Sequence, residues 1–320
     1  MRILVTGGAG FIGHNVVRFL EQQGHQCFVV DTITNYGFIP KDELEYLNKE
    51  RRKRFKSSIH HVDITNKENL NNIFMSFSPQ LVIHLASFPR QKVVNANPSF
   101  ASEVMSTGLI NLLELSQIHK IKKFVYISSS MVYGDFTDNV NENAVCCPQG
   151  QYGILKLAGE WLVRDYTRKG AFEHTIIRPS AVYGEWDVED RVVSKFMLTA
   201  MRDGVLKVNG ANESLDFTYV EDAARGIVQA TLSKQASNKT YNITKSHSYS
   251  LLDAATLAIK IAGRGSIQVN DKDKDFPSRG ALNIEAARRD FDYNPQVDVE
   301  EGFQRYYNWF KTSLYWQKKL

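Results

Sequence analysis

The sequence predicts an α/β fold: a doubly wound parallel sheet followed by a smaller α/β domain. Three observations predict it. Short, continuous apolar runs recur through the first half of the 320 residues. Segments of helical length separate those runs. A glycine-rich turn follows the first run directly.

The apolar runs lie at residues 3–5, 27–30, 59–62, 81–85 and 124–127. They are rich in Val, Ile and Leu, as strands buried on both faces must be. Residues 15–23, 68–77 and 100–119 have helical length and lie between them. Strand and helix in alternation give βαβ units and hence a parallel sheet. A further strand is expected at 175–178. After about Pro179 the segments become mixed and less periodic, with acidic-basic loops such as 271–275. Residues 1–179 are therefore expected as the first domain and 180–320 as a smaller one. The second domain is expected to close over the C-terminal edge of the sheet. No Gly/Ser linker separates them, so tight packing is expected.

Apolar residues make up 43% and charged residues 23%, which excludes a disordered chain. The net charge of +4 and the pI near 8.8 suit an anionic small ligand and do not argue for nucleic acid. Cys27, Cys146 and Cys147 form no disulfide framework and no zinc spacing. They read as reduced thiols, so a cytoplasmic location without a metal site is expected. No apolar run approaches the roughly 18 residues needed to span a membrane. Met1-Arg2-Ile3-Leu4-Val5 is too short for a signal peptide and reads as a strand. The run Arg51-Arg52-Lys53-Arg54-Phe55-Lys56 admits a nucleic-acid or localisation patch. Charge runs are mostly solvated surface, so a solvated loop after a helix is the expectation.

Thr6-Gly7-Gly8-Ala9-Gly10-Phe11-Ile12-Gly13 joins the first strand to the first helix. Gly7, Gly10 and Gly13 permit a sharp turn and close approach to a pyrophosphate, which the helix N-terminus then faces. This is the Rossmann dinucleotide pattern. Asp31 ends the second strand, 18 residues after Gly13. A carboxylate there accepts ribose hydroxyls and repels a 2′-phosphate, which favours NAD over NADP. Asp63, in Val62-Asp63-Ile64, either meets the adenine edge or caps the following helix.

Gln151-Tyr152-Gly153-Ile154-Leu155-Lys156 contains Tyr-x-x-x-Lys, which places both side chains on one helix face. A free tyrosine, with a pKa of about 10, is a poor base near neutrality. A nearby ammonium and the charge of oxidised nicotinamide are expected to favour the phenolate. The strand at 124–127 emits Ser128-Ser129-Ser130 at its C-terminal end, where such sheets bind ligands. A serine there can hydrogen-bond both a reacting substrate oxygen and Tyr152.

These motifs together resemble the extended short-chain dehydrogenases/reductases, in the branch of NAD-dependent sugar-nucleotide epimerases and dehydratases. The resemblance runs nearly end to end. It includes the glycine turn, His84-Leu85-Ala86, Ser129 before Tyr133-Gly134, Tyr152-x-x-x-Lys156, Arg178-Pro179, Val182-Tyr183-Gly184 and Asp216-Phe217-Thr218-Tyr219-Val220. It implies Ser129, Tyr152 and Lys156 as the catalytic set. It implies that Gly7, Gly10, Phe11, Ile12, Gly13, Asp31, Asp63, Ile64, Leu85, Ala86, Ser87, Tyr152 and Lys156 bind NAD. For a nucleotide-diphosphate sugar it implies Arg90, Ser129, Ser130, Met131, Tyr152, Arg191, Val192 and Arg279. Arg279 would meet the diphosphate. Arg90 and Lys92 follow the fourth strand, and either contact the substrate or remain solvated loop cations.

Three departures bear on the reaction. Dehydratases of this branch carry an acid two places after the catalytic Ser/Thr, where this chain has Met131. Leu215 stands where epimerases usually have an arginine. Residues 104–106 lack the usual asparagine, so the grip on the cofactor is expected to differ. The resemblance thus implies an NDP-sugar 4-epimerase, an isomerase of carbohydrate biosynthesis that passes through a transient 4-keto sugar. A net 4-reductase or dehydrogenase is the nearest alternative, with a 4,6-dehydratase behind it. A non-catalytic dinucleotide-binding scaffold is remote because the Tyr–Lys pair is whole. The helical segments 100–119 and 151–169 are expected to form a four-helix homodimer interface.

Overall fold

The structure, a computed structural model, describes residues 1–320. Its centre is a seven-stranded sheet in which every neighbouring pair is parallel. The first six strands are β1 (Arg2–Thr6), β2 (Gln26–Val30), β3 (Ile59–His60), β4 (Leu81–His84), β5 (Lys123–Ile127) and β6 (Glu173–Pro179). The order across the sheet is the strand Lys239–Ile243, then β6, β5, β4, β1, β2 and β3. Strand order reverses between β1 and β4, so a crevice opens at their C-terminal ends.

The alternation of side chains across the strands divides the core. Leu4, Val82, Phe124 and Ile176 join one cluster beneath the helices Lys67–Phe77, Gly108–Ile118 and Gly150–Arg168. Their neighbours Ile3, Val5, Ile83, Val125 and Ile177 join another, on the face covered by α1 (Gly13–Gln22) and the helix Val220–Leu232. A separate core forms after β6, from the helices Val192–Met201, Leu251–Ala262 and Val299–Thr312 with Trp316.

Two features follow from tertiary packing. The central sheet crosses residue 179, because Lys239–Ile243 pairs with Thr175–Pro179 of β6. The expected helix at 100–119 is three pieces: Pro98–Ser102, a π-turn at Glu103–Thr107 and Gly108–Ile118. The π-turn falls on residues 104–106, the segment that departs from the family pattern.

The basic run is corrected. Arg51 lies in the last turn of α2 (Lys41–Arg52) and is buried, at 5% exposure. Its Nε and Nη2 both donate to the Trp186 carbonyl, at 3.0 and 2.6 Å. Arg54 lies 3.6 Å over the Trp186 ring and pairs with Glu221. Phe55 is buried in the core. The carbonyl and ring of the distant Trp186 recruit these cations inward, and only part of the run is solvated. No helix is long and apolar enough to cross a membrane.

Candidate active site

One cleft of about 1160 Å³ lies over the C-terminal ends of β1, β2, β4 and β5. That exceeds the usual range of roughly 300–1,000 Å³ for a single small-ligand pocket, so it has room for a dinucleotide and a second ligand. Gly7, Gly10, Phe11, Ile12, Gly13, Asp31, Asp63, Ile64, Leu85, Ala86 and Ser87 line one arm. Arg90, Ser129, Ser130, Met131, Tyr152, Lys156, Arg191, Val192 and Arg279 line the remainder. The fold therefore brings every sequence-predicted site residue into one cavity.

The glycine turn is shaped for close approach. Gly7 has φ +72°, and a Cβ there would sit 2.5 Å from the Ala86 nitrogen. A Cβ on Gly13 would strike the Gly7 carbonyl. Asp31 fastens the turn, since its Oδ2 accepts the Ala9 N–H at 3.0 Å and its Oδ1 accepts that of Ile33 at 2.9 Å. Burial raises the Asp31 carboxyl, and these two N–H donors oppose the shift. Each oxygen keeps a lone pair for a ribose hydroxyl. These features fit a bound dinucleotide. Asp63 does not cap the next helix: Asn66 does, accepting the Asn69 N–H, while Asp63 accepts from Thr65.

At the other arm, Ser129 opens a single 3₁₀ turn, Ser130–Tyr133, and its Oγ accepts the Met131 N–H at 3.2 Å. Tyr152 and Lys156 project from the helix Gly150–Arg168 beneath it. Lys156 Nζ donates to the Ile127 carbonyl at 2.8 Å. Burial pulls Lys156 down to about 7, against the support of Glu160. Burial raises Tyr152 above its ordinary value, while Ser129 and Arg191 pull it back. In this arrangement the electrostatic help for Tyr152 comes from Ser129 and Arg191, because Lys156 is turned to the end of β5.

A buried polar network fixes these pieces to one another. Ser128 Oγ donates to Glu160 at 2.6 Å. Arg178 forks onto both Glu160 oxygens at 2.8 and 2.7 Å and donates to Tyr133 Oη at 2.9 Å. Tyr133 Oη donates in turn to Asn242 at 2.8 Å. Burial opposes the Glu160 charge, but Arg178 outweighs it and holds the carboxyl below its ordinary range. The motifs Arg178-Pro179 and Tyr133-Gly134 therefore act on the site from behind, by tying the serine loop to the Tyr–Lys helix.

The side of the cleft that carries Arg191 and Arg279 is cationic and incompletely paired. Arg279 is drawn down to about 10, first by burial and then by repulsion from Arg191. Its Nε is buried without a hydrogen-bond partner. Arg191 precedes the helix Val192–Met201, with Nε 3.5 Å from Asp187. Arg279, with its unpartnered Nε, and Arg191 line one cavity, and guanidinium groups there suit phosphate oxygens. Arg90 is neither free nor solvated: it pairs with the carboxylate and carbonyl of Asp190, each at 2.6 Å. Lys92 remains exposed, 3.8 Å from the same carboxylate. Met131 is buried, and Leu215 lines the cleft. Sequence reasoning missed Glu43, Asp187 and Asp190. Glu43 and Asp190 meet partners 100 residues or more away along the chain, which no local spacing marks, while Asp187 pairs with Arg191 four places on.

The model of the NAD dependent epimerase/dehydratase family matches residues 3–244. A UDP-glucuronate 4-epimerase of Thermodesulfobacterium geofontis is 27% identical over 316 residues, covering 97% of this chain and 96% of that protein. A dTDP-glucose 4,6-dehydratase of Escherichia coli is 26% identical over 356 residues, covering 100% and 96%. The crystal structure of UDP-glucuronic acid 4-epimerase from Bacillus cereus, in complex with UDP-glucuronic acid and NAD, superposes with a TM-score of 0.88. It is 27% identical and covers 97% of this chain and 99% of that one.

Proposed function

Because this chain belongs to the NAD-dependent epimerase/dehydratase family, we propose that it is an NAD-dependent epimerase inverting C4 of a UDP-sugar. The observation that carries this reading is the Ser129–Tyr152–Lys156 set at one end of the cleft, with Met131 beside it.

Gly7, Gly10, Phe11, Ile12 and Gly13 would hold the pyrophosphate of NAD, and Asp31 its adenosine ribose. Asp63, Ile64, Leu85, Ala86 and Ser87 would line the rest of that arm, with Lys156 at the nicotinamide end. NAD, when bound, supplies a reversible hydride acceptor at C4, so oxidation and return on the opposite face leave no net redox change. Tyr152 Oη takes the proton of the C4 hydroxyl and later returns it. Ser129 Oγ orients that hydroxyl, with Ser130 and Met131 forming the adjoining wall. Arg279 and Arg191 bind the diphosphate, and Val192 packs beside the nucleotide. Arg90 acts through Asp190, holding the loop that carries Arg191.

Met131 decides between the two activities found among the relatives. A thioether cannot protonate a leaving hydroxyl. This supports epimerisation over 4,6-dehydration. The test is a panel of UDP-, GDP-, CDP- and dTDP-sugars incubated with the purified protein. Inversion at C4 of a UDP-sugar without added NADH is expected. Loss of water, or stoichiometric use of external NADH, overturns the assignment.

We further propose a cytoplasmic homodimer. Ile154 and Trp161, exposed by 51% and 64% on the helix Gly150–Arg168, support a partner helix there. The three free cysteines fit a reducing compartment. A monomer in sedimentation at micromolar concentration counts against the dimer.

A further inference from the structure

The loop between Gly184 and Arg191 is held from a place that the sequence does not suggest. Trp186 adopts a left-handed backbone, φ +67°, which is uncommon for a bulky residue. Such strain persists only where surrounding contacts over-determine it. Here the contacts are specific. The Arg51 fork takes the Trp186 carbonyl. The Arg54 guanidinium covers the ring on one face. His14, one residue past the glycine turn, and Trp309 meet its ring at 5.9 and 6.0 Å.

Three residues on, the Glu189 N–H donates to Glu43 Oε1 at 2.6 Å. Glu43 and Arg51 both belong to α2 and are both buried. They are eight residues apart, about two helical turns, and so share one face. One helix therefore grips a carbonyl and an amide of the same short loop, with a guanidinium donor at one end and a carboxyl acceptor at the other. The charges of Asp187 and Asp31 support the buried Arg51 guanidinium, which burial otherwise disfavours. The loop leads directly into Arg191, whose charge acts on both Tyr152 and Arg279.

We propose that α2 is a positioning clamp, in which Glu43 and Arg51 fix residues 186–189 and so set where Arg191 stands relative to Tyr152 and Arg279. Glu43 lies outside the cleft lining and Arg51 lines it beside Asp31; both hold residues 186–189 through the loop backbone. The clamp also joins the two arms of the cleft, since Arg51 lies beside Asp31 at the cofactor end. It rests on the nucleotide-sugar reading given above. Glu43 is pushed up to about 7 by burial and by Glu189 and Asp187, so near neutrality a neutral acceptor is what the Glu189 N–H meets for much of the time. Gln reproduces that acceptor, and Ala does not.

The experiment uses the full chain and the variants Arg51→Lys, Glu43→Ala and Glu43→Gln. UDP binding is measured by calorimetry, NAD binding by fluorescence, and KM and kcat on the substrate that the panel identifies. Arg51→Lys and Glu43→Ala should weaken UDP binding and raise KM about tenfold, the scale of one charge-assisted hydrogen bond, with a smaller change in kcat. Circular dichroism and thermal melts close to wild type show that the variants fold, and NAD should still bind to Glu43→Ala. Glu43→Gln should restore wild-type UDP affinity. Unchanged UDP affinity in Arg51→Lys and Glu43→Ala, or a Glu43→Gln that behaves as Glu43→Ala, overturns the clamp. If the wild-type protein binds none of UDP, GDP, CDP or dTDP, the proposed function fails and takes the clamp with it. UDP binding by the wild type with no variant effect removes the clamp alone.

Discussion

Lys156 Nζ stands 5.9 Å from the centre of the Tyr152 ring and spends its hydrogen bond on the Ile127 carbonyl, 2.8 Å away. The two residues share a helix face, yet the amine is tied to the sheet and the phenol to the serine loop. Lys156 thus fixes the helix against β5, and Tyr152 is left to Ser129 and Arg191.

Tyr152→Phe removes the proposed base and little else, because the ring packs in the core and keeps its place. Turnover should fall by about 10²–10⁴-fold while NAD still binds. Steady-state assays with fluorescence titration of NAD check this. Near-wild-type activity would remove Tyr152 from the mechanism.

Lys156 gives stability a definite pH dependence. Its amine titrates near 7 when folded, against 10.5 ordinarily, chiefly because it is buried. Between those values the unfolded chain carries a proton that the folded chain has released, so this contribution to stability rises with pH across that window. Below pH 7 both forms are protonated and the cost of burying the ammonium is fully present. Thermal melts of wild type and Lys156→Met should show the wild type gaining on the variant from neutral to alkaline pH. A constant or shrinking difference contradicts the assignment.

Arg279→Ala should raise KM for the nucleotide-sugar and leave NAD affinity unchanged. Its Nε has no protein partner, so its removal leaves no protein group unpaired. A lost hydrogen bond to a charged ligand is worth about 1.5–3 kcal/mol, or roughly ten- to a hundredfold in KM. An equal loss of NAD binding would place Arg279 elsewhere in function.

Glu160→Ala should be the most destabilising of these substitutions. It strands the Arg178 guanidinium, which is almost wholly buried and takes both Glu160 oxygens. Breaking such a pair costs about 3–5 kcal/mol. Urea denaturation measures it. A loss below about 1 kcal/mol would indicate that solvent reaches the pair and that the network does not fix the serine loop.

Gly7→Ala should abolish NAD binding before it unfolds the protein. Its φ of +72° and the Ala86 backbone leave no space for a Cβ. The turn must shift, at about 1–3 kcal/mol, and the shift moves the surface that meets the pyrophosphate. Retained NAD affinity would remove the turn from that role.

The first half of the fold was legible because its signals are local. Short Val/Ile/Leu runs mark β1, β2, β4 and β5, and the glycine turn lies between a strand and a helix. The site residues were legible because backbone chemistry demands particular residues at particular spacings. Beyond residue 179 the sequence was less informative. The strand Lys239–Ile243 reads as Lys-Thr-Tyr-Asn-Ile, with no continuous apolar run, because its neighbours in the sheet supply the burial. The basic run misled for a related reason: a charge run looks solvated until something distant claims its members, as Trp186 claims Arg51.

By itself the sequence determined the doubly wound sheet, the glycine turn with Asp31 at the end of the next strand, and the Tyr152–Lys156 pair on one helix face. These follow from periodicity, from glycine's backbone freedom and from helical spacing, all properties of neighbouring residues. Only the tertiary structure decided which charges act on Tyr152, that Arg90 pairs with Asp190, and that α2 grips the loop before Arg191. Those outcomes depend on burial and on contacts across 100 residues and more, as between Arg90 and Asp190. Burial sets the sign of a pKa shift and contact sets its partner, and neither quantity exists until the chain has folded.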